Sequence, residues 1–172
     1  IGLLSPYVLL GKKIVADACK EVKGWDSKLP QHYIDSVLKW SSEFEDIETL
    51  YWDRFAGIEN PKKVELYGCC DASGYALGAC VYLVSTAQND EITINIIMAK
   101  TRNASAGESS IPRLELISAV LLTNIMGHVK SVYNIPDKDI HYFTDSADVI
   151  FWLYSGHLSW KPFVANQVKK IR

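Results

Sequence analysis

The sequence lacks any C-x-x-C pair among its four cysteines, Cys19, Cys69, Cys70 and Cys80, which excludes a zinc-ribbon or thioredoxin-type motif. Three of them lie in segments that read as buried strand, so they are expected to act as small core hydrophobes, and a reducing compartment is the default. No glycine-rich phosphate loop, Ser-His-Asp order or Cys/His zinc spacing occurs. No apolar run reaches the roughly 18 residues that a membrane span needs. The formal net charge is only −2, which excludes a global basic field, so a nucleic-acid partner would have to be met through a local patch or metal ions. Low-complexity tracts are absent, and a hydrophobic share of 48% with 22% charged residues is that of a folded globular chain. There is no initiator methionine, and the opening Ile1-Gly2-Leu3-Leu4-Ser5-Pro6 lacks a basic leader region. Arg172 stops inside a helical pattern with no glycine or proline after it, so both ends look cut from something longer.

What is present divides by period. Val8, Leu9, Ile14, Val15 and Ala18, then Tyr33, Val37, Leu38, Trp40 and Phe44, recur at near-helical spacing on either side of Gly24 and Pro30, which predicts two helices, with Pro30 opening the second. Gly57-Ile58-Glu59-Asn60-Pro61 marks a boundary, giving a helical appendage over 1–60 and a second domain over 61–172. Beyond it the period drops to two: Val64, Leu66, Gly68 and Cys70 alternate with Glu65, Tyr67 and Cys69 in a strand that ends at Asp71. Ala72-Ser73-Gly74 is a turn, Leu77 to Val84 a nearly continuous apolar strand, Gln88-Asn89-Asp90 a turn, and Ile92 to Ala99 a third, β-branched strand. Ser109-Ser110-Ile111-Pro112 supplies helix-start chemistry for a long helix, apolar on more than one face from Leu114 to Val132 and therefore deeply packed. A short strand from Asp139 to Thr144, a helix capped by Asp145-Ser146 and running to about Tyr154, and a last helical start at Pro162 complete the order. The fold class is α/β: a mixed sheet of three antiparallel strands, a central helix and a fourth strand, with helices packed on it.

Three carboxylates stand at element ends. Asp71 closes the first strand, Glu115 lies in the first turns of the long helix, and Asp145 closes the fourth strand. Singly each has an ordinary role as turn residue, dipole partner or N-cap. They are too distant in sequence for local pairing, yet the topology could gather them. Clustered carboxylates repel unless hard divalent cations neutralise them, and two such ions can activate a water and stabilise a leaving oxygen in phosphodiester cleavage.

Asp71-Ala72-Ser73-Gly74, the strand Leu77-Gly78-Ala79, Ile111-Pro112-Arg113-Leu114-Glu115-Leu116, Thr144-Asp145-Ser146 and Trp160-Lys161-Pro162-Phe163-Val164-Ala165-Asn166 resemble, in order and spacing, the ribonuclease H-like region of BEL/Pao retrotransposon polyproteins. Gly2-Leu3-Leu4-Ser5-Pro6 and Gly24-Trp25-Asp26 resemble the segment that follows the reverse transcriptase palm in the same family. The resemblance implies a reverse transcriptase tail over 1–60 and a ribonuclease H-like domain over 61–172. Asp71, Glu115 and Asp145 match three acidic metal ligands of an endonuclease that cuts RNA in RNA–DNA hybrids with two Mg2+ (or Mn2+) ions. The family's fourth acid lies one strand beyond the Phe-Val-Ala-Asn helix and is absent before Arg172, so the domain is expected to be incomplete. Also implied are the rest of the polyprotein as partner, a place in the cytoplasm or a virus-like particle, neither membrane nor secretion, and an unpaired sheet edge open to another protein. The main alternative is a non-catalytic structural or interaction module. A third reading rests on the peptidase label that this stretch also carries in Pao polyproteins, but aspartic proteases of retroviral type need a small hydroxyl residue and then glycine after the Asp, where this chain has Ala72.

Lys100, Arg102 and Arg113 flank the carboxylate end and are candidates, with Ser73, for holding hybrid phosphates; backbone contacts of that kind position a nucleic acid without reading its sequence. Lys169, Lys170 and Arg172 form a second basic cluster. His128 is expected at the core or its boundary, and His157 in a loop that could reach the site. The five tryptophans are expected to pack the appendage against the sheet.

Overall fold

The structure, a computed structural model, describes residues 2–24, 26–47, 49, 51–104, 110–156 and 160–172; Trp25, Ser109 and His157 lie outside them. The chain forms two compact units, residues 4–54 and residues 55–172 joined by 1–3.

In the first unit α1 (Ser5–Glu21) and α2 (Gln31–Ser42), followed by the short α3 (Phe44–Ile47), carry no fully buried residue. Pro30 takes the N-cap position of α2 with ψ 143°, outside helical values as a residue just ahead of a helix should be. An aromatic cluster ties the pieces together. Tyr7 stacks on Trp40 at 5.1 Å, Phe44 meets both rings edge-on, and the Trp40 indole donates to the Tyr7 carbonyl at 3.0 Å. Trp40 thus packs inside its own unit.

The second unit holds β1 (Lys63–Ala72), β2 (Ala76–Thr86), β3 (Ile92–Asn103), α4 (Ile111–Tyr133), β4 (Ile140–Phe143), α5 (Ala147–Tyr154) and α6 (Pro162–Ile171). The four strands pair in the order β3-β2-β1-β4, with the β1–β4 pairing parallel and the other two antiparallel, a mixed α/β sheet of the class expected. One face is covered by α4. Leu66, Gly68 and Cys70 of β1 and Leu77, Ala79, Val81 and Leu83 of β2 are buried beneath it, meeting Leu114, Leu116, Leu122, Ile125 and Met126 of the helix. At roughly 25 cal/mol per Å2 of apolar surface removed from water, this shared core is the dominant stabilising element. Helix α4 is long and apolar enough by composition to cross a membrane, but its buried residues run through Leu116, Ala119, Leu122, Met126 and Val129, the pattern of a core helix. It ends at Asn134, φ 59°, whose N–H bonds the Lys130 carbonyl, a left-handed stop that asparagine tolerates.

The structure corrects two sequence expectations. Only Cys70 of the strand cysteines is buried; Cys69 is exposed and Cys80 half-buried, because the pleat turns them to the face opposite α4. His128 is exposed rather than in the core. Trp152 and Trp160 meet one another in the sheet unit at 6.5 Å, so together with Trp40 they serve packing within a unit.

Candidate active site

The β1–β4 ladder ends on the pair Cys69 and Phe143. Asp71 and Asp145 each stand two residues beyond that rung, so two carboxylates leave the same end of neighbouring parallel strands. Both are exposed. Glu115, half-buried in the first turns of α4, is tied to the same place: the Ser146 hydroxyl donates to its Oε2 at 2.6 Å. Ser146 is itself buried, 5% exposed, and its Oγ accepts from the Val149 N–H at 3.2 Å. It therefore caps α5 and holds Glu115 beside Asp145 with one hydroxyl.

The three acids fit a hard divalent cation by their chemistry, since such ions take carboxylate oxygens. Their side chains do not converge as they stand: among the described residues no three His, Cys, Asp or Glu side chains lie close enough to share an ion. Strand geometry supplies a reason. Asp71 follows the buried Cys70, so the pleat turns it to the face away from α4, whereas Glu115 approaches from the α4 side. The Asp71 Oδ1 accepts from the Ala72 N–H at 2.6 Å.

The flanking candidates separate into two groups. Lys100 and Arg102 are exposed on β3 and pair with Ala79 and Leu77; Leu77 pairs in turn with Ala72, which sets both cations at the Asp71 end of the sheet. The Ser73 hydroxyl accepts from the Tyr75 and Ala76 N–H groups at 3.3 and 3.2 Å, so it builds the β1–β2 turn. Arg113 instead lies over the Phe163 ring at 5.2 Å. It borders a cleft of about 410 Å3 with Ser110, Asp148, Trp160 and Lys161. That cleft lies between the N-termini of α4 and α6, where backbone dipoles favour negative charge, and the buried Trp160 indole N–H has no hydrogen-bond partner. In the second basic cluster Arg172 bonds the carbonyls of Leu153 and Ser155, closing the end of α5, while Lys170 bonds Gln167.

Sequence reasoning missed one linkage. Glu65, mid-strand in β1, accepts from the Lys63 ammonium at 2.8 Å and meets the His141 ring of β4 at 3.0 Å. The Lys63 contact, reinforced by His141 against the opposing effect of burial, holds its carboxyl below the usual range. A charged residue inside an apolar strand was the available signal.

No curated protein and no solved structure matches the chain significantly. A family model described as the Pao retrotransposon-like RNaseH-like domain matches residues 1–146, a span that includes the β1–β4 sheet, α4 and all three carboxylates. With most of its length matched and a mixed sheet packed by helices consistent with that fold, the chain belongs to the Pao retrotransposon-like RNaseH-like domain family.

Proposed function

We propose that this domain is a metal-dependent nuclease module of a Pao-type reverse transcriptase, acting on the RNA strand of RNA–DNA hybrids through Asp71, Glu115 and Asp145. The observation that carries the reading is the common exit of Asp71 and Asp145 from adjacent parallel strands, with Glu115 bound to Ser146 next to Asp145. Clustered carboxylates repel when no cation is bound. Bound Mg2+ or Mn2+ would neutralise them and lower the pKa of a coordinated water. Lys100 and Arg102 would hold the hybrid backbone at the Asp71 end. The cleft with Arg113 and Lys161, between the N-termini of α4 and α6, would receive a neighbouring phosphate.

Cleavage of a labelled RNA–DNA hybrid, with Mg2+ or Mn2+ and with a chelator, tests the reading. Cleavage that needs the ion and is lost in Asp71→Asn and Asp145→Asn supports it. Absent cleavage, or cleavage that survives both substitutions, favours a non-catalytic module; the observation on that side is that the three carboxylates do not gather as they stand.

A further inference from the structure

On the sheet face opposite α4, Cys69 of β1 lies directly across the antiparallel ladder from Cys80 of β2. Cys69 is exposed and Cys80 half-buried, and the Cys80 thiol sits 3.9 Å from the Cys69 carbonyl oxygen. The adjacent Cys70 cannot compete for either partner, because it points under α4 with its sulfur 3.7 Å from the Phe143 carbonyl. We infer that Cys69 and Cys80 form a reversible cross-strand disulfide, a redox modification site on β1 two residues before Asp71.

The geometry sets the character of the bond. Directly opposed residues on one face of an antiparallel pair hold their Cβ atoms about 4.5–5.5 Å apart, while a disulfide needs about 3.5–4.5 Å. Closing it draws the strands together by roughly the difference and stores strain, which makes the bond easy to reduce. The oxidant is a low-molecular-weight disulfide of the glutathione class. One cysteine thiolate attacks it and releases one reduced thiol; the second cysteine then attacks the protein-bound sulfur and releases another. Two protein S–H bonds are lost, one S–S bond forms, and the small disulfide is reduced to two thiols.

The test treats the native protein with excess oxidised glutathione, blocks free thiols with iodoacetamide and maps peptides by mass. Exposed Cys19 serves as an internal control, since with no partner it should carry one glutathionyl group. The inference expects a linked Cys69–Cys80 peptide pair lighter by two hydrogens, reversed by excess reduced glutathione. Cys80→Ser should convert it to a glutathionyl adduct on Cys69, and Cys69→Ser to an adduct on Cys80. Stable adducts on both cysteines of the unsubstituted protein, or two unmodified thiols while Cys19 reacts, would overturn it.

Discussion

Replacing Ser146 by alanine removes two bonds with one atom. The hydroxyl caps α5 through the Val149 N–H and donates to the half-buried Glu115 carboxylate. An N-cap serine is worth about 1 kcal/mol, and a hydrogen bond to a charged group about 1.5–3 kcal/mol, so Ser146→Ala should cost about 2–4 kcal/mol. A stability of about 5–15 kcal/mol is typical of domains, which makes this a large fraction of the total. Urea unfolding followed by tryptophan fluorescence, in chelator so that no metal contributes, reads the loss. With a slope of about 2 kcal/mol per M the midpoint should fall by about 1–2 M. A double-mutant cycle with Glu115→Ala isolates the shared bond, and a coupling of about 1–2 kcal/mol is expected for residues in contact. Ser146→Thr, which keeps a hydroxyl, should recover most of the stability. If Ser146→Ala costs under about 0.5 kcal/mol, or the two substitutions simply add, then the hydroxyl does not join Glu115 to the end of β4 and the reasoning fails.

Two further expectations concern the sheet. A Cβ built on Gly68 of β1 would meet Met126 Cε and stand 2.7 Å from Leu122 Cδ1, so Gly68→Ala should destabilise the fold by about 1–3 kcal/mol through overpacking; the cost should shrink on a Met126→Ala background, and an equal cost on both would refute the contact. Glu65 has its carboxyl held below the usual range, principally by Lys63. Its stabilising contribution is therefore present above the unfolded value near pH 4.3 and lost as pH falls through the lower folded one. The stability gap between the parent and Glu65→Gln, on the order of 0.2–1 kcal/mol for a partly exposed pair, should close as pH falls well below about 4; a gap that persists undiminished there would contradict the assigned partners.

The elements of the sheet unit were legible because their apolar residues keep strict periods: two along Leu66, Gly68 and Cys70, near 3.6 along Leu122, Met126 and Val129. The positions of Asp71, Glu115 and Asp145 at element ends followed from those boundaries. What periodicity could not supply was adjacency. That β4 lies beside β1 depends on the crossover through α4, and it is this pairing that brings Asp71 and Asp145 to one end of the sheet. The strand cysteines were misread for a related reason, since an alternating strand offers two faces and only packing decides which one α4 covers. The cleft with Arg113 and Trp160 joins the starts of two helices far apart in sequence, and no local pattern announces such a meeting. Glu65 and His141 are likewise brought together only by the β1–β4 ladder.

The most direct test of the claim that Asp71, Glu115 and Asp145 form one cation site is a titration with Mg2+ or Mn2+, followed by calorimetry and by backbone NMR shifts. The account predicts saturable binding that shifts the resonances of all three residues and is abolished by Asp71→Asn and by Asp145→Asn, each with the fold intact. No binding by the folded parent, or binding that either substitution leaves unchanged, would contradict it.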